Sequence, residues 1–446
     1  PAGMPGMACA AVMAAAARTA AESELNLPVG IMRPFVILSE WPAGSGSAGI
    51  SRIIVSADAS SVPYAVRVAK VSRCFIGLHE RMCGPIFPSD PFMTQTTFSR
   101  TLVEWQRSCG RRTLPWQAFD TPYERLVSEV MLQQTQVATV IPYYERFLER
   151  FPTAESLAEA PEEELMRLWA GLGYYARARN LQRAAAHVVS NLAGKFPTRV
   201  QDLLTLPGVG PSTAAAVAAF TSHEAKYPMV DGNVKRVFAR LRMIPGRIGQ
   251  KTFEKKVRQC AKALLPGSDL IADYTQGLMD LGSQICCKRN PKCTLCPVRT
   301  FCRGADANPE DFPKPKKSLE KKERHLLLGF AVSTEGLWLR PNSDSIWRGL
   351  WVPCVREIPA EESKGLLFPS DFGLDAEWKT VCLGNSQREL THQRLFIQAA
   401  AFISHEGALK AEGYSAFLPG RDELPGMPAP VRTLAKAALQ VAGYSV

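Results

Sequence analysis

A chain of 446 residues, 46% hydrophobic and 21% charged, is long enough for two or three domains, each with its own core. A net charge of +11 favours a polyanionic partner, nucleic acid before membrane surface. Twelve cysteines, five of them between Cys286 and Cys302, argue against an evenly spread disulfide framework, and no apolar run of about 18 residues marks a membrane span.

Residues 1–92 are rich in Ala, Gly, Ser and Pro and hold no lasting helical or alternating pattern. The chain starts at Pro1, and Met93 opens the first orderly stretch. Residues 1–92 are therefore expected to be an upstream extension, or a transit-type or disordered tail, with no assigned function. From Met93 to Gly110 the spacing of Leu102, Val103 and Trp105 predicts an amphipathic helix.

Between residues 121 and 302 the pattern is almost wholly helical. Thr121-Pro122 opens a helix expected to carry Glu129 and the polar run Gln133-Gln134-Thr135-Gln136. Pro161 and three glutamates start another, with Pro in the first turn and acids at the positive end of the helix dipole. It stops at Gly171-Leu172-Gly173, and Tyr174-Tyr175-Ala176-Arg177 open a basic helix through Arg179 and Arg183. Two further helices follow the 206–236 stretch and lead to the cysteines. An all-α domain over 93–302 is expected, since strand pairs are missing from the pattern.

Residues 303–324, with Phe312-Pro313-Lys314-Pro315-Lys316-Lys317, read as a stiff basic linker. From residue 325 the period changes. Strands are predicted at 325–332, 337–340, 350–354, 378–382 and 394–402, then a helix through Val431, Leu434, Ala438 and Val441. An α+β domain over 325–446 is expected.

Four features carry chemistry. In Leu206-Pro207-Gly208-Val209-Gly210, two glycines permit a sharp turn whose amides, with the next helix N-terminus, suit a phosphate. An ordinary connection between two helices has the same composition. About 20 residues later, Asp231 stands alone in a Pro/Gly-flanked loop before Asn233, Lys235 and Arg236. Such an aspartate is either a helix N-cap or an acid placed for use. Glu129 lies among Val127, Val130, Met131 and Leu132, so burial would raise its pKa and keep it protonated; the alternative is a surface or salt-bridged glutamate. Cys286, Cys293, Cys296 and Cys302, separated by six, two and five residues, could hold zinc or a [4Fe–4S] cluster in a reducing compartment. Cys287 is an extra outside that spacing.

The hairpin, the acid and the distance between them resemble the helix-hairpin-helix-Gly/Pro-Asp superfamily of DNA base-excision glycosylases. The cysteine spacing after them resembles the [4Fe–4S] loop of its endonuclease III and MutY-type members, and the resemblance implies that cluster as cofactor, in a structural role. The residue two past the hairpin separates those relatives. Endonuclease III-type enzymes have a lysine there, which forms a Schiff base; here it is Ser212, whose hydroxyl cannot. Leu114-Pro115-Trp116-Gln117, residues 128–137, residues 171–177 and residues 231–236 also resemble the MutY pattern. Residues 98–302 are similar to the MutY-type adenine DNA glycosylases densely, and 325–446 more thinly.

That resemblance implies an all-α helix-hairpin-helix glycosylase domain with a [4Fe–4S] loop, followed by an α+β Nudix-like domain that recognises 8-oxoguanine. It implies Glu129 and Asp231 as the catalytic pair, with Asn233 orienting one of them. Gly208, Gly210, Ser212, Gln134, Thr135 and Tyr174 become DNA contacts, and Arg112 and Trp116 resemble residues near the adenine pocket. Tyr174-Tyr175 could equally be core packing. Leu390-Thr391-His392 matches the family's Phe-Ser-His recognition turn with Leu for the aromatic and Thr for Ser; Thr391 and His392 would hydrogen-bond 8-oxoguanine. No complete Nudix hydrolase box is present. The implied partner is double-stranded DNA with adenine opposite 8-oxoguanine or guanine, bound by a monomer without a membrane. The implied location is the bacterial nucleoid, or nucleus or mitochondrion in a eukaryote. The rivals are an endonuclease III-like glycosylase/lyase for oxidised pyrimidines and a non-catalytic DNA-binding iron–sulfur module.

Overall fold

The computed structural model describes residues 95–446 apart from 316–319, 344–345, 363–366, 375–376, 406–408, 410–411 and 446. The expectations for residues 1–92 lie outside the described residues. The first part is helical: α1 (Gln95–Cys109), α2 (Pro122–Leu132), α3 (Val137–Arg150), α4 (Ala154–Ala158), α5 (Glu162–Trp169), α6 (Ala176–Asn191), α7 (Val200–Leu203), α8 (Pro211–Thr221), α9 (Gly232–Leu241), α10 (Lys251–Ala263) and α11 (Ile271–Asp280).

Helix α8 is the centre of this part. Five of its eleven residues are Ala, and Thr213 through Phe220 are all buried. Small side chains let neighbouring helices approach closely. Helix α2 packs against α8, burying Leu126, Val127, Val130 and Met131. Gln133 just past α2 donates from Nε2 to the Thr213 hydroxyl at 3.3 Å, tying the end of α2 to the start of α8.

Two local expectations are corrected. The polar run Gln133–Gln136 is not on the helix: α2 ends at Leu132 and Gln134 takes φ of 59°, a left-handed turn that stops helical bonding. Pro161 is the N-cap of α5, one residue before its first turn.

Residues 303–314 are pinned to the helices. Arg240 donates from Nε to the Pro309 and Phe312 carbonyls, the Asn290 amide donates to Glu310, and the Lys314 amide donates to the Gly246 carbonyl. The sheet then begins with β1 (Lys322–Ser333), earlier than the predicted 325, and continues with β2 (Gly336–Pro341), β3 (Trp351–Val352), β4 (Cys354–Ile358), β5 (Lys379–Glu389), β6 (Gln393–Ile403) and β7 (Ser415–Phe417), before α12 (Ala429–Val441). The order is β3-β2-β1-β6-β5, with β4 paired to β1 and β7 to β2; β1 and β6 run parallel. Strand β5 reaches Glu389, well past its predicted end at 382, across an irregularity between Cys382 and Gly384. Strands β5 and β6 are joined by a tight turn at Thr391-His392, closed by the Leu390 amide on the Gln393 carbonyl at 2.8 Å. Trp338, Trp378 and Phe402 anchor the core of this second part.

Helical part and sheet belong to one compact unit, Pro91–Val446. Helix α5 is their seam. Arg167 pairs with Glu423 at 2.7 Å, Glu163 accepts from the Trp351 indole at 2.9 Å, and Gly426 sits where an added Cβ would lie 2.8 Å from the Arg167 Cα.

Candidate active site

Asp231 is both a helix cap and a candidate acid. Its backbone is extended and its Oδ1 accepts from the Val234 amide at 2.7 Å, closing the N-terminus of α9. That leaves Oδ2, which faces the Asn233 amide nitrogen at 3.4 Å. Asn233 is itself held, its Oδ1 accepting from Arg236 at 3.1 Å. The orienting role expected for Asn233 thus has a geometric basis. Burial raises the Asp231 pKa; the Val234 amide, Arg236, the Asn233 amide and Lys235 pull it back.

Glu129 sits one turn from the end of α2. The residue keeps some accessible surface while its carboxyl is enclosed by protein. Burial first, and then the Asp231 charge, push its pKa up to about 7 against a smaller opposing pull from Arg125. Glu129 makes no hydrogen bond or ion pair among the described residues. Two carboxyl groups coupled through their charges therefore share one site, and burial raises the proton affinity of both.

Arg125, one turn before Glu129, is buried. It donates from Nε to the Phe119 carbonyl and stacks over Phe220 at 4.7 Å. Beside it opens a cavity of about 180 Å³ lined by Gln106, Arg112, Gln117, Arg125, Phe220 and Gln276, among others. Arg112, expected near the adenine pocket, lines this cavity. Trp116 does not: it is 3% exposed and packs edge-on against Tyr144 at 5.5 Å, so its faces are spent on the core. Arg125, Gln117 and Gln276 were missed. Arg125 had a usable signal, its position four residues before Glu129 on the same helix face; Gln276 comes from distant α11 and had none.

The hairpin lies between α7 and α8. Gly208 adopts φ of 78°, and an added Cβ would meet the Asn180 Cβ at 2.5 Å, so glycine is required there. Gly210 is different. Its backbone is extended and the space around it is open, so the fold itself does not demand glycine at this position. Ser212 is half-buried in the first turn of α8. Lys235, an amine one turn beyond Asp231, is paired with Glu254 at 2.8 Å.

A second cluster forms where the two parts of the fold meet. Tyr174, 44% exposed, donates to Gln134 Oε1 at 2.8 Å and lies 3.0 Å from the Thr391 hydroxyl. Thr391 and His392 are exposed at their hairpin tip. Core packing is thus the wrong description of Tyr174. Thr135 is partly withdrawn from any ligand, since its hydroxyl contacts the Gln133 carbonyl and accepts from Arg177.

The four spaced cysteines follow a π-helical turn, Leu281–Ile285, and come within electrostatic range of one another. Burial pushes the Cys296 thiol up to about 12 and raises Cys302. Helix α9 grips this loop: Arg236 donates to the Cys286 carbonyl at 2.8 Å, and Arg240, 3% exposed, donates to the Cys287 and Lys288 carbonyls and reaches Cys286 Sγ at 3.4 Å. The helix capped by Asp231 is thereby fixed to the cysteine loop. Among the described residues no three His, Cys, Asp or Glu side chains are close enough to hold one metal ion.

Residues 127–262 match the HhH-GPD superfamily base excision DNA repair proteins. The chain is 36% identical over 264 residues to the adenine DNA glycosylase of Buchnera aphidicola subsp. Schizaphis graminum, covering 58% of this chain and 75% of that protein. The chain belongs to the adenine DNA glycosylase family. A second adenine DNA glycosylase, from Buchnera aphidicola subsp. Baizongia pistaciae, is 41% identical over 212 residues, 48% of this chain and 59% of that one. The adenine DNA glycosylase of Homo sapiens is 41% identical over 222 residues, 47% of this chain and 39% of that one. Family membership gives the paired carboxyls and the hairpin a common context, DNA base excision. No described helix is long and apolar enough to cross a membrane.

Proposed function

We propose that this chain is a monofunctional glycosylase that hydrolyses the N-glycosidic bond of adenine mispaired with 8-oxoguanine, or more slowly with guanine. The observation that carries the reading is the Glu129–Asp231 pair, two enclosed carboxyls coupled through charge, with Glu129 pushed up to about 7. Adenine leaves poorly as an anion. Glu129 donates its proton to N7 as the C1′–N9 bond breaks, so the base departs neutral. The electron pair of that bond goes to the base, leaving an oxocarbenium-like sugar, and Asp231 stabilises that cation. Water then attacks C1′, and its proton passes to a carboxylate of the pair. Asn233 holds the Asp231 carboxylate in place.

Neither carboxyl can reach a base inside the duplex, so the adenine must be extruded. The cavity lined by Arg112, Gln117, Arg125, Phe220 and Gln276 would receive the extruded base. The amides after Gly208, with the N-terminus of α8, would hold the backbone phosphate. Gln134, Tyr174, Thr391 and His392 would meet the opposite base; residues 325–446 form the Nudix-like recognition domain of this reading, and 93–302 its glycosylase domain. Ser212 supplies no amine for a Schiff base, and Lys235 is engaged with Glu254, which supports hydrolysis without strand cleavage.

The four cysteines fit a [4Fe–4S] cluster. Cys286, Cys293, Cys296 and Cys302 lie within electrostatic range of one another, and four thiolates are the ligand set that such a cluster requires. Arg236 and Arg240 offset the negative charge of four thiolates. A cluster bound there clamps the loop and takes no part in the hydrolysis. The test is single-turnover adenine release from an 8-oxoguanine:adenine duplex, with borohydride present. Release abolished by Asp231→Asn, without covalent trapping, supports the reading. Efficient trapping with strand cleavage overturns it.

A further inference from the structure

Arg177, in the first turn of α6, has more hydrogen bonds than any local pattern would assign it. One guanidinium nitrogen donates to the carbonyls of Val130, Met131 and Gln133 at 2.7, 2.8 and 2.8 Å. The other donates to the carbonyls of Leu172 and Gly173, both at 3.1 Å, and to the Thr135 hydroxyl at 3.3 Å. The first set closes the C-terminus of α2, where helix carbonyls lack partners and a cation is favoured. The second set closes the loop that carries Tyr174. The guanidinium carbon also lies 5.5 Å from the Trp169 ring and 5.3 Å from the Tyr174 ring.

Both of the loops it joins are strained. Gln134 and Tyr174 are non-glycine residues at φ of 59° and 49°, conformations that persist only where the surroundings enforce them. The Tyr174 hydroxyl donates to Gln134, which leaves its oxygen free to accept from Thr391. Three side chains from two parts of the fold therefore meet at one exposed point, and two of them stand on loops held by the same guanidinium. The same group fixes the helix that bears Glu129.

We propose that Arg177 is the positioning residue for opposite-base recognition, holding Gln134 and Tyr174 in register with Thr391 and linking that triad to the Glu129 helix. The proposal rests on the reading given above. A lysine cannot replace it, because an ammonium has three donors at one point and can serve one carbonyl set, not both.

The experiment is single-turnover adenine release by Arg177→Lys, opposite 8-oxoguanine and opposite guanine, alongside thermal melting. The expected result is a fall of about tenfold in the ratio of the two rates, the order of one recognition hydrogen bond. A purely structural residue lowers both rates together, or the melting temperature alone. Should Arg177→Lys fail to fold, Thr135→Val removes one acceptor of the same guanidinium and is expected to lower the ratio about threefold. An unchanged ratio in a folded variant, or an equal fall in both rates, overturns the positioning role. A wild-type enzyme with no preference between the two bases overturns this role and the underlying reading together.

Discussion

Replacing Glu129 by Gln separates its cost from its use. The site lifts this carboxyl from an ordinary 4.5 to about 7. Between those values the folded chain binds more protons than the unfolded chain, so stability falls as pH rises. Once pH exceeds about 7 the penalty is complete, and a rise of this size corresponds to roughly 3 kcal/mol. Gln has nearly the same shape and no charge at any pH. Urea unfolding of both proteins at pH 5 and pH 8 reads the difference. Near pH 5 the penalty on the wild type should be under about 1 kcal/mol, with the Gln variant gaining a further ~2–3 kcal/mol relative to it by pH 8. Base release by the same variant should fall by about 10²–10⁴. A stability gap that does not change with pH would refute the burial argument, and undiminished release would refute the acid role.

Asp231→Asn should keep the cap on α9, because Asn accepts from the Val234 amide as well as Asp does, and should lose base release. Asp231→Ala should lose release and also about 1 kcal/mol of stability, so equal melting temperatures for the two would count against the double role. Gly208→Ala should destabilise the fold by more than about 1 kcal/mol through its left-handed backbone and the contact with Asn180, whereas Gly210→Ala should melt normally and weaken DNA binding. Identical melting of the two variants would sink that distinction. Thr391→Ala should narrow the preference for 8-oxoguanine over guanine, measured as a ratio of single-turnover rates; an unaltered ratio would remove Thr391 from recognition.

What the sequence made legible was local. The apolar neighbours of Glu129 announced a buried acid, and the Pro/Gly loop announced Asp231 as a cap, though not that one residue could be cap and acid together. The cysteine spacing was equally plain. What stayed hidden depended on residues far apart in the chain. Gln133–Gln136 look helical in sequence, but Arg177, 44 residues on from Gln133, takes the Gln133 carbonyl and the Thr135 hydroxyl into a turn. Trp116 has the residue type of a base-stacking ring, and only the structure shows it buried and edge-on to Tyr144. The cavity wall joins α2 to α11, so no window of sequence contains it. Strand β7 is three residues long and is defined by pairing with β2 rather than by any alternation of its own.

The most direct test of the central claim is the opposite-base profile of adenine release under single-turnover conditions. Release should be fastest opposite 8-oxoguanine, slower opposite guanine and negligible opposite thymine, leaving an intact strand that breaks only on later treatment with alkali. Cleavage of duplexes carrying an oxidised pyrimidine, with the nick made by the enzyme itself and adenine left in place, would contradict the account.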